Sequence, residues 1–358
     1  MTEKQKIKTS KYPFNQLAGV GVVFKLIQAI GKKLKIEERE YLKYLDIVCI
    51  GTISDIVPLI DENRVIAKLG LKLVEQTKSP GLKALLKMAN YKEINSSAIS
   101  FGIAPRINAC GRMGHERDAL DLFLTENIVE ANRITEKLNE YNKKRQDIEK
   151  KIFEEAIGKI ESENLKENNA LVVGAEDWHH GVIGIVASKF VEKYYKPAFI
   201  MTYNEEEKRY RCSARGVKEL NLFDIMSVNS ELFEGFGGHQ LAGGFSFNSE
   251  KCSFEDIKKA LNQTIDEMLN GEKLKPSLDI DLEIDLKDID VSLVEEINKL
   301  EPFGASNPSP TFAIKNMTLK QKKLMGSTKD HLKLIIETPQ GPKDCIWWSR
   351  GDVPLIAG

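Results

Sequence analysis

The 358-residue chain has little cysteine, little histidine and no long apolar run. Its five cysteines (Cys49, Cys110, Cys212, Cys252, Cys345) are odd in number, far apart and never in a CxxC pair. That excludes a disulfide framework or a zinc knuckle and fits a reducing cytoplasm. No apolar stretch approaches the ~18–20 residues needed to span a bilayer, so no membrane association is expected. The start MTEKQKIKTSKYPF is charged but no signal-peptide core follows it, and secretion is not expected either. Charge of one sign is also missing: 52 Lys plus Arg face 53 Asp plus Glu, a net charge of −1. A nucleic-acid reading must therefore rest on local features. What is present, 42% apolar and 29% charged residues, is the composition of a globular protein, long enough for roughly two or three domains.

The first 125 residues read as a helical block, with Leu17, Val20, Val23, Phe24, Ile27 and Ile30 at helical spacing. Inside it, IVCIGTISDIVPL (47–59) is a short β-branched apolar run meeting Gly51 and Pro58, which predicts a strand or buried segment ending in a loop. Residues 127–168 predict a long connector helix. Ile134, Leu138, Tyr141, Ile148, Ile152 and Ile160 form a narrow stripe, and nine Lys/Arg nearly cancel ten Asp/Glu within 130–168. From 169 the pattern turns α/β, with strands at 170–174, 197–201 and 209–214, and helices at 181–195, 221–226 and 253–269, the last capped by Ser253. NGEKLKPS (270–277) is a linker. DIDLEIDL and three later segments read as strands of an all-β module that looks cut short.

Several segments carry possible chemistry. Asp55 lies where a carboxylate can face a cleft; on spacing alone it is more often a turn former or helix cap than a metal ligand, and one carboxylate alone makes no metal site. In PRINACGRM (105–113), Arg106 and Arg112 flank Asn108 on an expected loop, either a phosphate grip or a capping loop with structural arginines. WHHGVIGIVASKF (178–190) opens a helix with Gly181 and Gly184, presenting free N–H groups to an anion beside His179 and His180. CSARG (212–216) sets Ser213 and Arg215 at a strand end. GFGGHQLAGGFSF (235–247) places five glycines, Gly237 and Gly238 among them, around His239, as a phosphate cradle requires. In the last module Lys320, Lys322, Lys323 and Lys333 accompany Trp347 and Trp348. Either the rings stack on a single strand, or the tryptophans are core and the lysines a solvated edge; the core reading is preferred for the rings.

Together KYPFNQLAGVGVVFKL, GTISDIVPLIDENR, APRINACGRM, WHHGVIGIVASK, RCSARG, GGHQLAGGFSF and LEPFGASNPSPTF resemble, in order, the RecJ type of single-strand-specific DNA exonuclease of the DHH phosphoesterase superfamily. The resemblance implies a multidomain α/β chain: a helical C-terminal part of a DHH domain (1–126), a connector helix (127–168), an α/β DHHA1 nucleic-acid-binding domain (169–272) and a partial β-barrel of OB-fold type (273–358). It implies a 5′→3′ exonuclease of DNA repair and recombination, using Mn²⁺ or Mg²⁺ in a two-metal site. Asp55 then corresponds to a metal-binding, catalytic Asp. Arg106, Asn108 and Arg112 correspond to a substrate-contacting loop, and His180, Gly181, Ser213, Arg215, Gly237, Gly238 and His239 to the nucleic-acid-binding domain.

Two departures qualify it. No Asp-His-His motif occurs, so most of the family's metal ligands are lacking, and Gly216 and Gly243 replace a usual Ser and Ala. The expectation is the central and C-terminal part of a longer enzyme, binding single-stranded DNA and weak or inactive alone, with a separate chain carrying the Asp-His-His region as one way to complete it. The alternatives are a phosphodiesterase of short oligonucleotides or cyclic dinucleotides, and a non-catalytic split-gene DNA-binding subunit.

Overall fold

The structure, a computed structural model, describes residues 11–338 and 341–353. It divides into two compact units, Met1–Leu73 with Leu278–Gly358, and Val74–Ser277. The chain enters the first unit through α1 (Gly19–Leu34), α2 (Arg39–Leu42), α3 (Leu45–Ser54) and α4 (Asp61–Glu75). Leu17, Phe24, Tyr41, Leu45, Val48 and Ile66 form its small core. Residues 47–59, expected as a strand, are mostly helix α3. Val48, Cys49, Ile50, Thr52 and Ile53 are buried on all sides of it, and a short run buried all round carries no period to tell helix from strand.

The second unit opens with α5 (Pro80–Ala89), a π-helical turn (Ala98–Ile103), α6 (Ala104–Arg112), α7 (Glu116–Leu124) and the 35-residue α8 (Ile128–Ser162). The segment expected as a loop around Arg106 and Arg112 is thus helix α6. Pro105 falls in its first turn, where a missing N–H costs nothing. Helix α8 begins where predicted, with the Asn127 side chain capping the N–H groups of Val129 and Glu130. It is less solvated than its charge implies, because Leu138, Asn142, Glu149, Ile152, Ala156 and Ile160 are all buried along one face.

After α8 come β1 (Leu171–Glu176), α9 (His180–Tyr194), β2 (Ala198–Asn204), β3 (Arg209–Arg215), α10 (Leu222–Val228), β4 (Gly235–His239), β5 (Ala242–Asn248) and α11 (Phe254–Leu269). The strands form one sheet in the order β1-β2-β3-β5-β4, parallel only between β1 and β2. Strand alternation sorts the side chains onto two cores. Leu171, Val173, Ala198 and Ile200 face α8 and α9, burying Phe190, Val186 and Ile152. Val172, Phe199, Met201, Ala214 and Phe247 face α10 and α11, against Ile225, Ile257 and Leu261. Ser253 caps α11 in a reciprocal capping box with Asp256, as its sequence signature predicted.

The rest of the first unit holds β6 (Leu282–Glu283), α12 (Val291–Asn298), β7 (Phe312–Ala313), β8 (Thr318–Met325), β9 (His331–Glu337) and β10 (Lys343–Trp347). Of DIDLEIDL only two residues are strand, pairing in parallel with β7. The antiparallel set β10-β9-β8 makes a separate sheet, and no closed barrel forms among the described residues. The fold class is mixed helix and sheet, as expected.

Candidate nucleic-acid interface

In the second unit, β1 ends in a turn whose Asp177 takes positive φ, and α9 starts at once. Its N-cap is His179, whose Nδ1 accepts the Gly181 N–H at 3.1 Å. One imidazole of the His-His pair is therefore a cap, while the other, His180, is exposed. Two glycines of α9 let neighbours approach closely. A Cβ on Gly181 would overlap the carbonyl oxygen of Arg112 at the end of α6. A Cβ on Gly184 would lie 2.8 Å from Ser213 Oγ and 3.2 Å from an Arg215 guanidinium nitrogen. Glycine at both points brings α6, α9 and β3 together. Arg112 then donates to the Gly181 carbonyl at 2.9 Å, and Arg215 donates to Ser213 Oγ at 3.3 Å and to the Ala214 carbonyl at 2.8 Å.

The sheet extends this site. Ser213 pairs with Gly244, which pairs with Gly237, and Arg215 pairs with Ala242, which pairs with His239. Residues directly opposite share a face, so Ser213 and Arg215 adjoin a stretch of sheet flattened by glycine. Gly235 and Gly237 have open space where a side chain would stand. The glycine-rich segment expected as a phosphate cradle is thus a β-hairpin, β4–β5, with Gly237, Gly238 and His239 exposed on its edge strand. Gly243 faces the other way, where a Cβ would meet Met226 Cε at 2.5 Å, and a Cβ on Gly216 would crowd Leu222 at 2.9 Å. Both departures from the family pattern match the local packing.

Electrostatics concentrate here. Burial holds the Arg112 guanidinium below the ordinary arginine range, Arg145 and Arg215 push it further down, and Glu149 opposes them. Arg215 is lowered by burial as well. Three guanidiniums therefore share one neighbourhood, each still charged because arginine starts so high. His180 is held below the usual histidine range by partial burial, by Arg211 and by His179. Half-buried positive charge suits an anion, but the N–H groups expected to be free are not: Gly181 donates to His179 Nδ1, and Val182 and Ile183 donate to the His179 carbonyl.

Arg106 does not join this cluster. Six residues before Arg112, it lies about 9 Å along the helix and on another side. Its Nε donates to Asn139 of α8 at 3.0 Å, and Nη1 donates to the Gly102 carbonyl. The two arginines do not converge. Asn108 is exposed on α6. Residues missed by the sequence reading sit on α8 and α9: Arg145 donates to Glu149 and, at 2.7 Å, to Asn142, while Lys189 also pairs with Glu149. The signal was at the edges of the break in the apolar stripe, where Asn142 follows Tyr141 and Glu149 follows Ile148, both in core-facing positions.

Asp55 belongs to the first unit, as the exposed C-cap of α3, and Ile56 after it takes positive φ. Three motifs meet close to it. Asn63, fully buried, donates to the carbonyls of Gln16 (2.7 Å) and Pro58 (3.0 Å). Arg64 donates to the carbonyls of Leu300 (2.7 Å) and Glu301 (3.1 Å), and the Leu59 N–H donates to Ala305 at 2.7 Å. A divalent ion needs several oxygen or imidazole ligands, and among the described residues no group of three or more His, Cys, Asp or Glu is placed to hold one. Asp55 alone does not fit a two-metal centre. Thiol chemistry finds no support either, since burial pushes Cys49 up to about 12, Cys110 up to about 11 and Cys212 well above its ordinary value.

On the β8–β10 sheet the lysines are mostly engaged: Lys320 with Glu337 and Lys333 with Asp344, each at 2.6 Å, and Lys322 with the Val353 carbonyl. The tryptophans, expected in a core, are exposed, 44% for Trp347 and 63% for Trp348, with His331 edge-on to the latter. A three-stranded sheet offers its outer positions no second layer to pack against.

The DHHA1 domain family matches residues 167–267 and the RecJ OB domain family matches 280–356. The chain is 37% identical over 344 residues to the single-stranded-DNA-specific exonuclease RecJ of Bacillus subtilis, covering 96% of this chain and 43% of that protein. Crystal structures of RecJ from Thermus thermophilus in complex with Mn²⁺ and with Mg²⁺ superpose on it with TM-scores of 0.85 and 0.81. Both are 25% identical and cover 98% of this chain, against 50% and 53% of theirs. The chain thus spans about half the length of the relatives it matches. With both family domains present, it is RecJ-like, homologous over nearly all its length to single-stranded-DNA-specific exonucleases.

Proposed function

We propose that this chain forms the strand-holding part of a cytoplasmic, RecJ-type 5′→3′ single-stranded-DNA exonuclease of DNA repair and recombination. In this reading the chain carries a DHH-type part at 1–126, a connector helix at 127–168, a DHHA1 domain at 169–272 and an OB-type part at 273–358. The observation that carries the reading is the convergence of Arg112, Ser213 and Arg215 on the first turn of α9, beside a glycine-flattened sheet. Guanidinium forks take phosphate oxygens bidentately, and flat backbone lets a strand lie close. Asn108, His180, Gly181, Gly237, Gly238 and His239 extend this surface, while Arg106, expected on it, is engaged by Asn139 and Gly102. Bound Mn²⁺ or Mg²⁺ would supply an activated water and neutralise the scissile phosphate.

In this reading Asp55 contributes one ligand, and a region carrying Asp-His-His contributes the others, in the same polypeptide or in a separate chain. Two observations support such a completion. Helix α1 leaves Val22, Val23, Leu26, Ile27, Ile30 and Leu34 exposed, an apolar face of the kind that packs on further protein. Gln16 Oε1, Ser54 Oγ, Asn63 Oδ1 and Arg64 Nη1 are buried with no hydrogen-bond partner among the described residues.

The test is fluorescence anisotropy with a labelled single-stranded oligonucleotide and its duplex, titrated with the 358-residue chain across a salt series. The expected result is binding of the single strand in preference to the duplex, weakening as salt rises with a slope of about −0.7 per phosphate engaged. No binding at low salt, or equal binding of the duplex, overturns the reading.

A further inference from the structure

A charged assembly on α8 and α9 lies beside the phosphate-facing arginines, and of its members only Lys189 falls within a motif, the last residue of WHHGVIGIVASK. Glu149 is buried, its side chain only 7% exposed, and receives both Arg145 from its own helix and Lys189 from α9. Asn142, also buried, accepts a second Arg145 donor at 2.7 Å. Arg145 is thus held at both ends of its fork, three residues from one partner and four from the other, on a single face of α8. Removing a carboxylate from solvent is costly unless it is fully paired, so this arrangement is retained against a desolvation cost. It ties α8 to α9 at Lys189, while Arg112 ties α6 to α9 at Gly181 and Gly184 admits Ser213 and Arg215.

We propose that Glu149, acting through Arg145 and Lys189, is a positioning residue of the single-strand interface, fixing α9 against α8 so that Arg112, Ser213 and Arg215 face one phosphate group together. The inference rests on the interface reading above and adds to it a residue that touches no nucleic acid. Simple charge counting gives the opposite expectation. Glu149 is negative and lies beside the cations, so deleting its charge should tighten an anion if proximity were all that mattered.

The experiment compares wild type, Glu149→Gln, Arg145→Lys and Arg215→Met by anisotropy with a single-stranded oligonucleotide over a salt series, with thermal melts of each. Positioning predicts that Glu149→Gln binds about tenfold more weakly at low salt and that its salt slope shrinks by roughly 0.7, one phosphate contact's worth. Arg145→Lys keeps the charge but loses the planar fork, and it should move the same way by a smaller factor. A merely structural role would lower the melting temperature and leave the slope alone. If Glu149→Gln is folded and binds as well as wild type or better, the proposal is overturned. If it does not fold, Arg145→Lys decides, and wild-type affinity and slope in that variant overturn it. Wild type that binds no single strand fails the interface reading itself, whereas wild type that binds while Arg215→Met does not keeps that reading whatever Glu149 does.

Discussion

Around Arg112 and Arg215, buried charges are matched: Arg145 and Lys189 share Glu149, Arg112 has the Gly181 carbonyl, and Arg215 has Ser213 and Ala214. Around Asp55 in the other unit, four buried polar atoms find no partner among the described residues and the first helix exposes an apolar face. An unpaired buried polar atom costs about 1–3 kcal/mol, so a neighbourhood with several of them is one whose partners are elsewhere. The contrast separates two tasks that share a chain. Under the proposed function, holding an anion needs only groups the second unit already owns, while hydrolysis would need ligands that Asp55 does not have beside it among the described residues. The two halves should therefore respond differently to being changed.

The largest expected effect tests the incomplete half. When the chain is supplied with the Asp-His-His region and Mn²⁺, Asp55→Asn should lower hydrolysis of single-stranded DNA by more than about 100-fold, the upper end for losing even an outer partner of a metal ligand. Affinity for the strand should not fall, because that carboxylate belongs to the other unit from the arginine cluster. Gel assays of product release beside anisotropy on the same samples measure both. Full hydrolysis by Asp55→Asn would remove Asp55 from the metal site and dissolve the contrast.

The next effect tests the self-contained half. Gly181→Ala places a methyl group on the Arg112 carbonyl oxygen, and since that is backbone, α6 and α9 must separate. Overpacking of this kind costs about 1–3 kcal/mol. The melting temperature should drop and single-strand affinity with it. Gly158→Ala is the control of opposite sign: Gly158 is exposed within α8, four residues before its C-terminal end, with nothing near its missing Cβ. There alanine should stabilise by about 0.5–1 kcal/mol through helix propensity and the lost freedom of the unfolded chain. Calorimetry on the pair shows whether glycine at 181 is a packing requirement. Equal melting temperatures would mean that the close approach of α6 to α9 is not a constraint.

From α8 to β3, and again at α11, the sequence foretold the second unit well, and for a physical reason. Its strands alternate between two cores and its helices carry caps such as Asn127 and Ser253, so period and punctuation agree. Helix α3 was illegible because burial on every side erases periodicity, and α6 because Pro105 looks like a stop signal until its place in the first turn is known. The site was legible as residue types: Arg112, Gly181, Ser213 and Arg215 were all singled out. Their convergence was not, since it depends on what a Cβ at 181 or 184 would strike, which no local pattern records. Arg106 shows the converse, a motif residue whose guanidinium is spent on Asn139 and Gly102. Trp347 and Trp348 were expected in a core because large rings usually are buried, and a three-stranded sheet cannot bury both faces.

The smallest effect lies within the matched half and tests whether its balance is tuned for an anion. His180 sits below the ordinary histidine range because partial burial and Arg211 disfavour its charged form. As pH falls below the unfolded value near 6.5, the unfolded chain takes up this proton first. Its contribution to stability is therefore constant above that pH and is lost as pH falls through the depressed folded value. Bound phosphate reverses the local sign, since an anion favours the imidazolium. Single-strand affinity should thus rise by roughly two- to threefold between pH 7.5 and 5.5, a change on the scale of one exposed ion pair. Stability should fall over the same range. His180→Gln should flatten both curves, leaving whatever His239 and other histidines contribute. A variant that loses the stability trend but keeps the full rise in affinity would place the phosphate away from the first turn of α9, and the strand would have to run along β4 alone.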